Sequence, residues 1–151
     1  MSSNETFFQL RLNSPSKNSK KENDDIIIFG SEYLISLVEK CALGFFDGTF
    51  KTSPVGFTQI LVFLVLNPDT NIFTPIFYIF ASSKSEECYF LALSGINMVI
   101  SKYGLKNKIK IVNVDFECAI HNAFKKVFPE IRCYFLHLVI FILIIKIILF
   151  S

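Results

Sequence analysis

One acidic residue inside an aromatic, apolar run constrains this chain more than any other feature. The run covers residues 44–50, Gly-Phe-Phe-Asp-Gly-Thr-Phe, and its acid is Asp47. An anionic carboxylate in apolar surroundings loses several kcal/mol of hydration free energy unless it is paired or binds a cation. Asp47 therefore requires a cation, a set of hydrogen-bond donors or an exposed strand end.

A second acid follows a similar apolar run farther along the chain. Residues 111–114, Ile-Val-Asn-Val, are strand-like and lead directly into Asp115. If the two runs form neighbouring strands, Asp47 and Asp115 converge at one end of a sheet, and carboxylate oxygens favour Mg²⁺ or Mn²⁺. Two such ions can activate a water and stabilise the leaving oxygen in phosphodiester cleavage or strand transfer. Spacing alone, however, favours ordinary turn or capping aspartates at both positions.

The hydrophobic pattern around these acids predicts an α/β fold with a mixed sheet. A three-stranded antiparallel meander comes first, because its strands are separated only by short turns rich in Pro, Gly, Asn and Asp. Alternating helices and strands follow, which indicates parallel strands joined by helices. The predicted strands are residues 26–29, 43–51, 59–66, 72–81, 109–114 and 131–135, and the predicted helices are residues 31–40, 85–103 and 117–127.

The two ends of the chain differ in composition from this middle part, residues 26–137. Residues 1–25 are polar and predict a disordered leader, because they have too little apolar surface to offset the entropy of ordering. They contain no apolar segment typical of a signal peptide, which favours an intracellular location. The tail, residues 138–151, is apolar apart from Lys146. With the preceding residues, the segment 133–150 approaches the ~20 residues of a membrane span, so we consider both a transmembrane and a buried helix.

Cysteine spacing and net charge exclude some classes of site. The four cysteines are widely separated and form no Cys-x-x-Cys pair, which argues against a disulfide framework and a self-contained zinc knuckle. A net charge of +2 is too small to indicate nucleic-acid binding. Lysines cluster at residues 17–21 and 102–110, and such clusters are more typical of solvated surface than of phosphate binding.

Four ordered blocks of this sequence resemble the catalytic domain of Mutator-like element (MULE) transposases. The first three blocks are Phe46 to Lys51 with Pro54, Gly56 and Gln59; residues 78–81 with Lys84 and residues 86–89; and residues 114–119 with Asn122, Ala123 and residues 127–129. In the fourth block, Cys133 and His137 resemble a Cys-x-x-His element of the family. The resemblance covers about residues 26–138.

The resemblance implies a ribonuclease-H-like fold with a DDE-type site that uses Mg²⁺ or Mn²⁺. It also implies DNA transposition as the function, transposon ends as the DNA partner and a nuclear or other intracellular location. The resemblance further implies that Asp47 is the first metal-binding acid of the family's site and Asp115 is the second. Cys133 and His137 are then structural or DNA-contacting residues. We expect Glu117 to be a helix-start residue rather than a metal ligand.

Two departures from the family pattern change the functional expectation. The family's third acid, a Glu, follows the Cys/His element, whereas no acid follows Glu130 here. The Cys133–His137 element is also one residue longer than in the family. We therefore expect a truncated copy with an incomplete metal site and little or no activity alone. The alternatives are a non-catalytic DNA- or protein-binding module and a membrane-tethered protein anchored by residues 133–150.

Overall fold

The computed structural model of this chain describes residues 7–14, 23–49, 53–115 and 117–135. These residues form a mixed sheet of seven strands together with three helices. The strands are β1 (Phe7–Ser14), β2 (Asp24–Ser31), β3 (Leu43–Thr49), β4 (Gln59–Asn67), β5 (Ile72–Ala81), β6 (Ile111–Val114) and β7 (Arg132–Phe135). The helices are α1 (Glu32–Ile35), α2 (Glu86–Lys102) and α3 (Cys118–Val127). The predicted α/β class is confirmed.

The sheet has the strand order β1-β2-β5-β4-β3-β6-β7. The strands β3, β4 and β5 form the predicted antiparallel meander, and β6 and β7 continue the sheet in parallel beyond β3. The connection between β4 and β5 is tight, with the Asn71 amide donating to the Asn67 carbonyl at 2.8 Å. Helices α2 and α3 then provide the crossovers that parallel strands require.

One edge of the sheet differs from the sequence prediction. Strand β1 lies within residues 1–25, for which a disordered leader is predicted, yet it pairs with β2 along its whole length. The reason is a short alternation in which Phe8, Leu10 and Leu12 pack against the core. The Arg11 guanidinium also pairs with the Asp25 carboxylate at 2.5 Å. The remainder of the leader, residues 1–6 and 15–22, lies outside the described residues.

The helix predicted for residues 31–40 is shorter than expected. Ser31 directly precedes this segment, and serine is a residue type that predicts an N-cap. Ser31 does hold the N-cap position, although its side chain makes no capping hydrogen bond and it is also the last residue of β2. The α-helical part ends at Ile35, and residues 36–39 continue as a 3-10 turn. The helix therefore begins where the sequence predicts, and the difference lies in its C-terminal half.

Helix α2 confirms the prediction made for it. Apolar residues at three- and four-residue spacing predict a core-facing stripe along this helix, and its members are all buried: Tyr89, Leu93, Ile96 and Ile100. Ser85 caps the helix, because its hydroxyl oxygen accepts a hydrogen bond from the Cys88 amide at 3.0 Å. The helix packs against β1, β2, β5 and α3, so it joins both halves of the sheet to one core.

The C-terminal segment of the sequence falls outside the part of the chain that the structure describes. Residues 136–151, which include His137 and the apolar tail with its candidate transmembrane helix, lie outside the described residues. Within the described part of the chain, no helix combines the length and the apolar character that a membrane span requires.

Candidate functional site

The register of two parallel strands brings the two predicted acids to neighbouring backbone positions. Strand β3 pairs with β6 from Leu43 opposite Ile111 to Phe46 opposite Val114. Asp47 directly follows Phe46, and Asp115 directly follows Val114. Neighbouring strands lie about 4.8 Å apart, so both acids start from adjacent points at one end of the sheet. The condition set by the sequence, that the two strands be neighbours, is met.

Aromatic packing fixes the strand that carries Asp47. Phe46 is fully buried, and its ring centroid lies 5.8 Å from that of Phe63 on β4 and 5.5 Å from that of Phe124 on α3. Both contacts are edge-to-face, an arrangement that aromatic rings prefer. Because side chains alternate along a strand, the burial of Phe46 beneath α3 directs Asp47 to the opposite face of the sheet.

Both aspartates are half-buried, and their carboxylate oxygens are the kind of donor that hard divalent cations prefer. One Asp47 carboxylate oxygen, Oδ1, accepts a hydrogen bond from the Gly48 amide at 3.0 Å, which restrains the orientation of the group. Among the described residues, no group of three or more His, Cys, Asp or Glu side chains is arranged to hold a metal. Mg²⁺ usually keeps several waters and binds through one or two carboxylates, so this pair fits a hydrated ion.

Glu117 makes contacts that sequence reasoning missed. It occupies the N-cap position of α3, as predicted, but its side chain does not cap the helix. Instead, its carboxylate accepts a 2.5 Å hydrogen bond from the Tyr89 hydroxyl on α2 and lies 3.8 Å from the Lys84 ammonium. The Glu117 amide donates to the Asp115 carbonyl at 2.6 Å, which links this residue to the candidate site.

The Tyr89 hydroxyl continues this network into the core. The side-chain amide nitrogen of Gln59, the first residue of β4, donates to the Tyr89 oxygen at 3.1 Å and to the Ser83 carbonyl at 3.0 Å. Both Gln59 and Tyr89 are fully buried. Burial, and then the hydrogen bond to Glu117, raise the pKa of Tyr89, so its hydroxyl stays a protonated donor. The only available signal in the sequence was that Gln59, Lys84 and Tyr89 belong to the family-like blocks.

Comparison with protein families gives a match to the MULE transposase domain over residues 43–139. This chain belongs to the MULE transposase family. Comparisons with curated proteins and with solved structures each give no match. Family membership suggests a transposase-related function with DNA as the partner in an intracellular, nuclear-type protein, and the family generally uses divalent metals. The match begins at the first residue of β3 and contains both aspartates.

Cys133 lies on β7, where it pairs with Val112 of β6. Its side chain is partly buried against the core, and burial raises the pKa of the thiol to about 11. The thiolate, which is the metal-binding form of cysteine, is therefore disfavoured at neutral pH. His137 lies outside the described residues, so the structural or DNA-contacting role of the Cys133 and His137 pair stays a prediction.

Proposed function

We propose that this MULE domain is a ribonuclease-H-like, DDE-type module descended from a metal-dependent enzyme that cuts and joins DNA. Asp47 and Asp115 are the proposed ligands of Mg²⁺ or Mn²⁺. The observation that carries this proposal is the parallel register of β3 and β6, whose last pair, Phe46 and Val114, is followed directly by Asp47 and Asp115. The antiparallel meander followed by parallel strands supports the proposed fold.

The residues of this chain would bind and orient the ion. The Phe46 packing holds β3, the Gly48 amide restrains the Asp47 carboxylate, and half-burial limits competition from water. When bound, a divalent ion supplies Lewis-acid stabilisation of the phosphodiester oxygens. Asp47 and Asp115 would contribute the negative charge that attracts the ion to this end of the sheet.

The proposed site contains two acids within this sequence rather than three. No acidic residue follows Glu130, and the described residues form no group of three potential ligands. We therefore expect these 151 residues to bind the ion yet to carry out little or no DNA cleavage or strand transfer by themselves.

A Mn²⁺ titration of the full chain tests the metal site, with the electron paramagnetic resonance signal of free Mn²⁺ as the readout. We expect the unaltered protein to bind Mn²⁺ and both Asp47→Asn and Asp115→Asn to weaken binding at least about ten-fold, since each removes a ligand. Asp69→Asn is the matched control, because Asp69 is an exposed acid paired with Lys40. Equal binding by all these proteins would contradict the proposal.

A non-catalytic DNA-binding module is the second candidate. Four exposed lysines at the end of α2 or after it are available to contact phosphates. They are Lys102, Lys106, Lys108 and Lys110. Salt-sensitive binding of a DNA duplex without Mn²⁺ binding would favour this alternative. The membrane-tethered alternative is tested by alkaline carbonate extraction, because release of the protein into the supernatant excludes a span.

A further inference from the structure

A buried polar network lies beside the candidate metal site, and family membership does not assign it a role. Its hydrogen bonds run from Gln59 on β4 through Tyr89 on α2 to Glu117 at the start of α3. Burying polar groups is costly unless each finds a partner, and a phenylalanine at position 89 would avoid that cost. Instead, the buried Tyr89 hydroxyl donates to Glu117, which lies two residues after Asp115.

Asp115 and Glu117 lie between the end of a short strand and the start of a helix. Strand β6 has four residues and ends at Val114, and the side chain at the N-cap of α3 makes no capping bond. The Glu117 amide bonds back to the Asp115 carbonyl, so fixing Glu117 also fixes the backbone from which the Asp115 side chain extends. The Glu117 carboxylate is fixed in turn by the Tyr89 hydroxyl.

We infer that Tyr89 and Gln59 are positioning residues for the metal site and that they act through Glu117. This inference rests on the proposed function. Gln59 belongs to β4, the antiparallel neighbour of β3, and Asp47 on β3 pairs with Val62 of β4. The network therefore ties the turn that carries Asp115 to the strand pair that carries Asp47. Fully satisfied buried networks of this kind specify one geometry.

Hydrogen bonding, rather than charge, is the central contribution of Glu117 in this network. Lys84 is the only cation that we find paired with Glu117 among the described residues, at 3.8 Å, and both side chains are partly exposed. Ion pairs that are partly solvated contribute little. A glutamine at position 117 would keep an acceptor oxygen for the Tyr89 hydroxyl and would lose only the charge.

Mn²⁺ affinity of the full chain is the test, measured on variants that circular dichroism shows to be folded. We expect Tyr89→Phe to lower the affinity by about ten-fold, the lower end of the effect of losing a direct partner of a ligand, because Tyr89 acts through Glu117. Tyr78→Phe is the matched control, because Tyr78 is exposed on β5. Ile100→Val lowers stability in the same helix without touching the network, and it should keep the affinity. Glu117→Gln should also stay near the unaltered value.

The outcomes separate this inference from the proposed function. Unaltered protein that binds no Mn²⁺ overturns both. Normal binding by Tyr89→Phe, with weak binding by Asp115→Asn, overturns the positioning role and leaves the metal site standing. A loss in Glu117→Gln as large as that in Asp115→Asn also overturns it, because Glu117 would then act as a ligand.

Discussion

Phe46 of β3 and Val114 of β6 are partners in the parallel register, and each is followed directly by an aspartate. Both partners are fully buried, so core packing sets where the two acids begin. A slip of one residue between the strands would separate the acids and turn the side chains of the slipped strand to the opposite face. The candidate site of this MULE domain is thus a consequence of the same packing that stabilises its core.

Phe46→Ala should lower the free energy of unfolding by about 3–5 kcal/mol, the usual cost of removing a buried phenylalanine. The reason is that Phe46 meets the rings of both Phe63 and Phe124. Urea denaturation measures the change. Phe90→Ala is the control, because Phe90 on α2 is 44% exposed, and its effect should be well below that of Phe46→Ala. Similar effects of the two substitutions would show that the aromatic cluster is not formed.

Ser85→Ala should cost about 1 kcal/mol of unfolding free energy, because it removes the N-cap of α2. Ser85 accepts from the Cys88 amide at 3.0 Å, and its hydroxyl also donates to the Asp24 carboxylate at 3.1 Å. Ser101→Ala, at an exposed position in the last turn of α2, should be neutral or slightly stabilising. Thermal unfolding of both variants checks the difference, and a neutral Ser85→Ala would contradict the capping role.

The cysteines should react with iodoacetamide in an order set by burial and ionisation. Cys118 is exposed and should react first, whereas Cys41 and Cys88 are buried and should be protected. Cys133 should react slowly at pH 8, because burial raises the pKa of its thiol to about 11. Peptide mass spectrometry measures the order, and labelling of Cys133 as fast as Cys118 would contradict it.

The Cys133 thiol also makes the free energy of unfolding depend on pH in the alkaline range. The Cys133 pKa rises from about 9 in the unfolded chain to about 11 in the folded chain. The folded state holds the proton more tightly, so this contribution is fully present below pH 9 and is lost as pH rises toward 11. We expect Cys133→Ser to show a smaller decline in urea stability over that interval than the unaltered protein. An identical decline in the two proteins would argue against the buried thiol.

Gly104→Ala should destabilise the turn after α2 by about 1–2 kcal/mol through backbone strain alone. Gly104 has a φ of 65°, and a Cβ added there would meet nothing within 4 Å. Gly104→Asn should cost less, because asparagine tolerates the left-handed region better than alanine. Urea denaturation compares the two variants. Equal losses would indicate a cause other than backbone conformation.

Short-range patterns in the sequence were sufficient to predict most of the secondary structure around the site. The β3–β5 meander, the bounds of α2 and its buried stripe were predicted, because turn composition and helical periodicity depend on residues close together in the chain. The same patterns identified Asp47 as an acid within an apolar strand and Asp115 as an acid that directly follows one. The prediction of a disordered leader was wrong for β1, because the alternation of apolar residues there is short and the polar composition of residues 1–25 favoured disorder.

The sequence by itself thus determined most of the elements and the two acids that they carry or precede, whereas the tertiary structure decided which of them meet. Pairing of β1 with β2, placement of β2 beside β5 and the Glu117–Tyr89 hydrogen bond all join residues far apart in sequence. Such contacts depend on how whole elements pack and on which way each side chain then points. Local propensity carries no information about either, which is why Glu117 was read as a helix-start residue and its buried partner went unpredicted.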